Sequence, residues 1–123
     1  MDDTGAYGRV TPGVSLVAIG VIHQAVGVAL GRGELIALWR AGVVDQAEAN
    51  PMRMALVWFL LFGFALIFAG WVTHRLEVSG GRFSRGLALG LGALCATGVL
   101  LMPASGFWLG FIPAVQIWRR ATL

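Results

Sequence analysis

The 123-residue chain is 58% hydrophobic and only 12% charged, and its mean hydropathy is +0.80, whereas soluble domains carry about 25% charged residues. This excludes an ordinary soluble domain, and the length excludes a second folded module; what remains is an integral membrane protein. The formal charge of +3 comes from nine arginines, no lysine and six acids; the arginines stand at the ends of apolar runs, as membrane topology places them, so no nucleic-acid partner is expected.

Residues 1–10 read as a short cytoplasmic tail. The apolar run that follows is too long for a signal-peptide core and lacks a small-x-small cleavage site, so the first segment is expected to be retained. Pro12 to Gly31 is long enough to cross a bilayer as a helix, with Thr11 as its cap and Pro12 in its first turn. At 100° per residue Gly13, Gly20, Gln24, Gly27 and Gly31 fall within a narrow arc, and Gly27-x-x-x-Gly31 has the small-residue spacing that lets helices touch backbones. That arc must face protein. The large aliphatics of this span favour insertion by only about 3 to 5 kcal/mol, so helix one depends on its partners.

Charges interrupt the apolar pattern over residues 32–50. Leu35, Ile36, Trp39 and Val43 recur at helical spacing beside Glu34, Arg40 and Asp45, which predicts a short interfacial helix between helices one and two, anchored by Trp39. It would act as a cover over helix ends or as a gate over a cavity. Asn50-Pro51 is a helix start, and helix two runs over 51–76 with Phe59, Gly63, Ile67, Gly70 and His74 on one face. Gly80-Gly81 breaks the chain before helix three, over 85–102, where Ser84 is the cap. Gly86, Gly90, Ala93 and Thr97 form a second small-residue face suited to the stripe of helix one. Cys95 points the other way and stands alone, which leaves no disulfide framework and no CxxC pair. Pro103 stops helix three, and Ser105 can cap a short fourth helix over 106–118 that contains Pro113.

Four spans with short connections predict a single all-α membrane domain, an antiparallel four-helix bundle. Arg9, Arg75, Arg82, Arg85, Arg119 and Arg120 then lie on one side and only Arg32, Arg40 and Arg53 on the other, which puts both termini in the cytoplasm of a multi-pass inner-membrane protein.

The strings Trp58-Phe59-Leu60-Leu61-Phe62-Gly63 and Met102-Pro103-Ala104-Ser105-Gly106-Phe107-Trp108, with the Gly20-x-x-His23 region, resemble a family of small, uncharacterised four-helix bacterial membrane proteins. The resemblance spans nearly the whole chain and implies the fold; it brings no activity, ligand or cofactor. Small multidrug-resistance transporters are similar in architecture, but they carry a carboxylate inside helix one. Here that depth holds His23 and Gln24, and the nearest acid, Glu34, lies beyond the span. Four-helix intramembrane sterol isomerases also rely on embedded carboxylates, which this sequence does not match.

His23 is the sharpest chemical feature. A histidine at mid-depth should face the bundle interior, either as a proton carrier or ligand contact, or as a neutral ring hydrogen-bonded across helices. Gln24 reads as glue between helices, with Thr97 as its natural partner. The first functional expectation is binding of a small hydrophobic molecule or a partner membrane protein in an outer cleft formed by Trp58, Phe59, Phe107 and Trp108, with His23, Gln24 and Thr97 beneath. A dimeric transporter with His23 as protonatable group is the alternative, and an intramembrane acid–base enzyme the second. The glycine faces suit internal packing or a homodimer. No catalytic constellation, metal-ligand pattern or cofactor motif is present in the sequence.

Overall fold

In the computed structural model, residues 10–121 are described, and they form four α-helices and one 3-10 turn: α1 (Pro12–Ala41), α2 (Pro51–Val78), α3 (Arg85–Leu101), the 3-10 turn Gly106–Gly110 and α4 (Phe111–Arg120). The expected cytoplasmic tail lies almost wholly outside the described residues. The first three helices and the 3-10 turn each start on a side-chain cap. The Thr11 side chain accepts the Val14 N–H at 3.3 Å, Asn50 Oδ1 accepts Met52 N–H at 2.8 Å, Ser84 Oγ accepts Leu87 N–H at 3.2 Å, and Ser105 Oγ accepts Phe107 N–H at 3.4 Å. Pro12 and Pro51 sit in first turns, where no N–H is required.

One boundary differs from expectation. No separate interfacial helix follows helix one; α1 continues unbroken through Arg32-Gly33-Glu34 to Ala41. Backbone hydrogen bonding is indifferent to the change from apolar to charged side chains, and Gly33 weakens a helix without stopping it. The stop comes at Gly42, whose φ of +100° begins a Schellman closure in which Val43 N–H donates to Leu38 O at 3.1 Å. At 1.5 Å per residue α1 is about 45 Å long, well beyond the roughly 30 Å of a hydrocarbon core. Its extension stays attached to α2: Arg53 Nε donates to Glu34 Oε2 at 3.3 Å, and Arg53 also donates to Gln46 O, which holds the connecting loop down.

α1 and α2 pack side by side in opposite directions, Gly13 to Gly31 of one against Leu56 to His74 of the other. Gly13 faces His74, Val17 faces Gly70, Gly20 faces Ile67, Gln24 faces Gly63, Gly27 faces Leu60 and Gly31 faces Leu56. One register relates all six pairs. Gly13, Gly20 and Gly27 recur every seven residues, as do Gly63 and Gly70, so each glycine receives a larger group from the other helix. A seven-residue repeat is the left-handed supercoil geometry, reached here with 3-4 spacing rather than by the Gly-x-x-x-Gly pair alone. The closeness is at backbone level: a Cβ on Gly70 would lie 2.6 Å from Val17 N, and one on Gly20 would lie 2.9 Å from Ile67 N.

The partner of the helix-one stripe is therefore α2, not the small-residue face of helix three. No Cα of α3 comes within 8 Å of α1 or α2. α3 instead packs on α4 and the 3-10 turn, with buried Cys95 against Gly110 and Gly98 against Phe107. Helix four is also not one helix from 106. Pro113 cannot donate to the Leu109 carbonyl, and the chain takes a 3-10 path until Phe111, which leaves Pro113 in the first turn of α4.

The two hairpins meet mainly through α1 and α4, at the end where α1 begins. Glu77 organises this junction. Its carboxylate accepts from Gly13 N–H at 3.4 Å, at the positive end of α1, and from Arg120 at 3.2 Å on α4. Gln116 Nε2 donates to Val10 O at 3.0 Å, and Phe83, Ala88 and Ile117 form a small buried cluster beside them.

Candidate functional site

Because α3 is held off from the first hairpin, a cavity of about 340 Å³ remains between them. α1 contributes Ile19, Ile22, His23 and Val26, α2 contributes Phe59, Phe62 and Leu66, α3 contributes Leu91, Leu94 and Cys95, and the 3-10 segment closes one end with Ser105, Phe107 and Leu109. That volume lies within the range of small-molecule sites, and the lining is apolar with very few polar atoms, as such sites commonly are.

His23 is the principal polar group on the wall. Its Nε2 lies 2.9 Å from the Phe59 carbonyl oxygen. A carbonyl only accepts, so Nε2 carries the proton, and in the neutral ring Nδ1 is left as an acceptor. The ring stacks on the Phe59 side chain at 3.7 Å between centroids and 13° between planes, with the Phe62 ring edge-on at 5.6 Å. Gly63 makes this approach possible, since a Cβ there would stand 2.9 Å from His23 Cδ2 and 2.5 Å from Gln24 Oε1. The helix-two glycine thus exposes a backbone carbonyl one turn earlier to a side chain from helix one.

Of the seven residues expected around the cleft, His23, Phe59 and Phe107 line this cavity and the other four do not. Gln24 lies in the α1–α2 seam against Gly63, with its Oε1 buried and without a hydrogen-bond partner among the described residues. Thr97 is not its partner. The Thr97 hydroxyl donates at 2.9 Å to Ala93 O in its own helix, the local solution open to any threonine in a helix. Trp58 faces outward and is 67% exposed. Trp108, 57% exposed, donates from Nε1 to Pro103 O at 2.9 Å and so pins its own turn. Phe107, expected in the cleft, does line the cavity, while none of residues 32–50 reaches it, so the α1 extension does not gate it.

Sequence reading missed Ile22, Val26, Phe62, Leu66 and Leu94 as cavity wall. An aliphatic or aromatic side chain looks the same in sequence whether it meets lipid, another helix or a void, and no signal there could have separated them. Among the described residues neither a carboxylate nor a tyrosine hydroxyl is hydrogen-bonded to His23.

Fold and site together define a small all-α protein with two helices long and apolar enough to cross a membrane and an apolar cavity with one histidine on its wall. The chain belongs to a family of unknown function, DUF6463, whose pattern matches residues 9–122. No curated protein and no solved structure shows significant similarity to it.

Proposed function

We propose that this protein is embedded in the bacterial inner membrane as an antiparallel helical bundle with both termini in the cytoplasm, and that it binds a small apolar molecule carrying one hydrogen-bond donor in the cavity against His23. The membrane placement is supported by what the long helices do not bury. Only 11% of the apolar stretch of α2 and 28% of that of α1 is covered within the fold, and Leu61, Phe64, Phe68 and Trp71 are all exposed. In water such a surface would drive aggregation; in lipid it is the insertion energy. The arginine asymmetry between the two ends supports the orientation.

The observation that carries the ligand reading is the way His23 is held. Its Nε2–H donates to the Phe59 carbonyl, its ring stacks on the Phe59 side chain at the wall of an apolar cavity, and in the neutral tautomer Nδ1 is left as an acceptor. A hydroxyl-bearing hydrocarbon satisfies that nitrogen and fills the remaining wall. A pure hydrocarbon leaves it unmatched, and an anion has no countercharge on the wall.

The test is equilibrium binding of dodecanol and its methyl ether to the purified protein in nanodiscs. One neutral hydrogen bond is worth about 1 kcal/mol, so the alcohol should be preferred by about fivefold. His23→Phe should remove that preference and leave ether binding intact, and Leu66→Trp, which fills the cavity, should remove binding of both. Equal binding of the two probes by the wild type, or unchanged binding by Leu66→Trp, refutes the reading.

A further inference from the structure

A second apolar depression lies on the far side of α3, away from His23. It is a groove of about 440 Å³ between α3 and α4, floored by the small residues Ala88, Gly92, Ala96 and Ala114 and walled by Phe111 and Trp118. Gly92 has open space where a side chain would stand. The groove runs about 10 Å along α4 from Phe111 to Trp118, at 1.5 Å per residue.

Its charge is concentrated at one end. The Arg85 guanidinium carbon lies 4.9 Å from the centre of the Trp118 ring, and at 100° per residue Arg85 falls on the same face of α3 as Ala88, Gly92 and Ala96. A guanidinium stacked on an aromatic ring keeps its N–H edge free to meet an oxyanion. Arg85 also begins α3, where the helix presents its positive end. Arg82 and Arg119 are exposed nearby in sequence. Among the described acids, Glu34, Asp45 and Glu48 belong to the opposite end of the molecule. Glu77, at this end the one carboxylate side chain among the described residues, is bonded to Arg120 and to the start of α1. Arg82, Arg85 and Arg119 therefore form no ion pair among the described residues.

We infer that the α3–α4 groove holds one acyl chain of an anionic phospholipid, whose phosphate is received by Arg85 above Trp118. The inference rests on the membrane placement proposed above, and the arginine-rich end then lies at the cytoplasmic leaflet, where anionic lipids and basic side chains meet. Shape and charge agree: the small residues make room for a chain, and the cationic end sits where that chain's headgroup must emerge.

The experiment is a competition in nanodiscs between phosphatidylglycerol and phosphatidylcholine of matched chains, read by native mass spectrometry of retained lipid. One arginine near the surface contributes about a fivefold preference. The wild type should retain phosphatidylglycerol with at least that preference and lose it as salt is raised. Arg85→Gln should reduce the preference about fivefold, and Gly92→Leu, which fills the groove where nothing obstructs a side chain, should reduce retention of both lipids. Flotation with neutral vesicles is measured in parallel. A protein that does not float refutes the membrane placement and this site with it. One that floats but shows no headgroup preference, or an unchanged preference in Arg85→Gln, overturns this site alone.

Discussion

Replacing Gly70 by alanine tests the packing that holds the first hairpin together. The new Cβ would stand 2.6 Å from Val17 N and 2.8 Å from Gly13 O. Both are backbone atoms of α1, so no side chain can swing away, and α1 must retreat by about 1 Å to reach ordinary contact distance. A gap of that size forfeits a quarter to a half of each dispersion contact it opens, and overpacking of this kind costs about 1–3 kcal/mol. Alanine recovers about 1 kcal/mol through helix propensity, which leaves a net loss of up to about 2 kcal/mol. Gly92→Ala is the matched control, since a Cβ there meets nothing within 4 Å; only the propensity gain of up to about 1 kcal/mol applies. Unfolding followed by far-UV circular dichroism during titration of SDS into mixed micelles measures both. The propensity gain is common to both, so the two variants should differ by the overpacking cost, about 1–3 kcal/mol. If they agree to within about 0.5 kcal/mol, the seven-residue glycine seam does not hold the hairpin.

Gly63→Ala should push His23 off the Phe59 carbonyl, because the added methyl occupies the space that His23 Cδ2 and the Gln24 amide now fill. Imidazole ¹⁵N spectra should show the Nε2–H tautomer in the wild type and a mixture of tautomers in the variant; the same spectrum for both would refute the assignment. Glu77→Ala removes the acceptor shared by Gly13 and Arg120 on a carboxylate only 9% exposed. A loss of about 1–3 kcal/mol is expected in the same unfolding assay, since partly buried partners are left unmatched, with Glu77→Gln losing less. Single cysteines at Asp45 and Arg82, in a Cys95→Ser background, should react with an impermeant maleimide from opposite sides of the membrane, position 45 in intact cells and position 82 only in inverted membrane vesicles. Labelling of both from one side would overturn the orientation.

Much of this architecture is written in local chemistry. Thr11-Pro12, Asn50-Pro51 and Ser84 mark α-helix starts, and Ser105 the start of the 3-10 turn rather than of helix four, because a cap acts on amides two or three residues away. Gly80-Gly81 and Pro103 mark stops for equally local reasons. The glycine arc of helix one was visible because a helix turns 100° per residue wherever it stands, and the same arithmetic put Gly63, Gly70 and His74 on one face of helix two. The error at residues 32–41 has the opposite origin. Hydropathy reports the surroundings of a helix, not its continuity, so a change of surroundings at Arg32 was read as a break in the backbone.

Sequence alone determined that the chain is all-helical with two long apolar helices, where the first three helices begin, and the glycine seam of helix one. Tertiary structure decided which seam meets which. The stripe of helix one closes on helix two because both repeat every seven residues in one register; helix three has small residues but goes to helix four. It also separated two neighbours in sequence, turning His23 toward a cavity and Gln24 into a seam, because adjacent positions on a helix differ by 100° and only the placement of the other helices gives that angle a meaning.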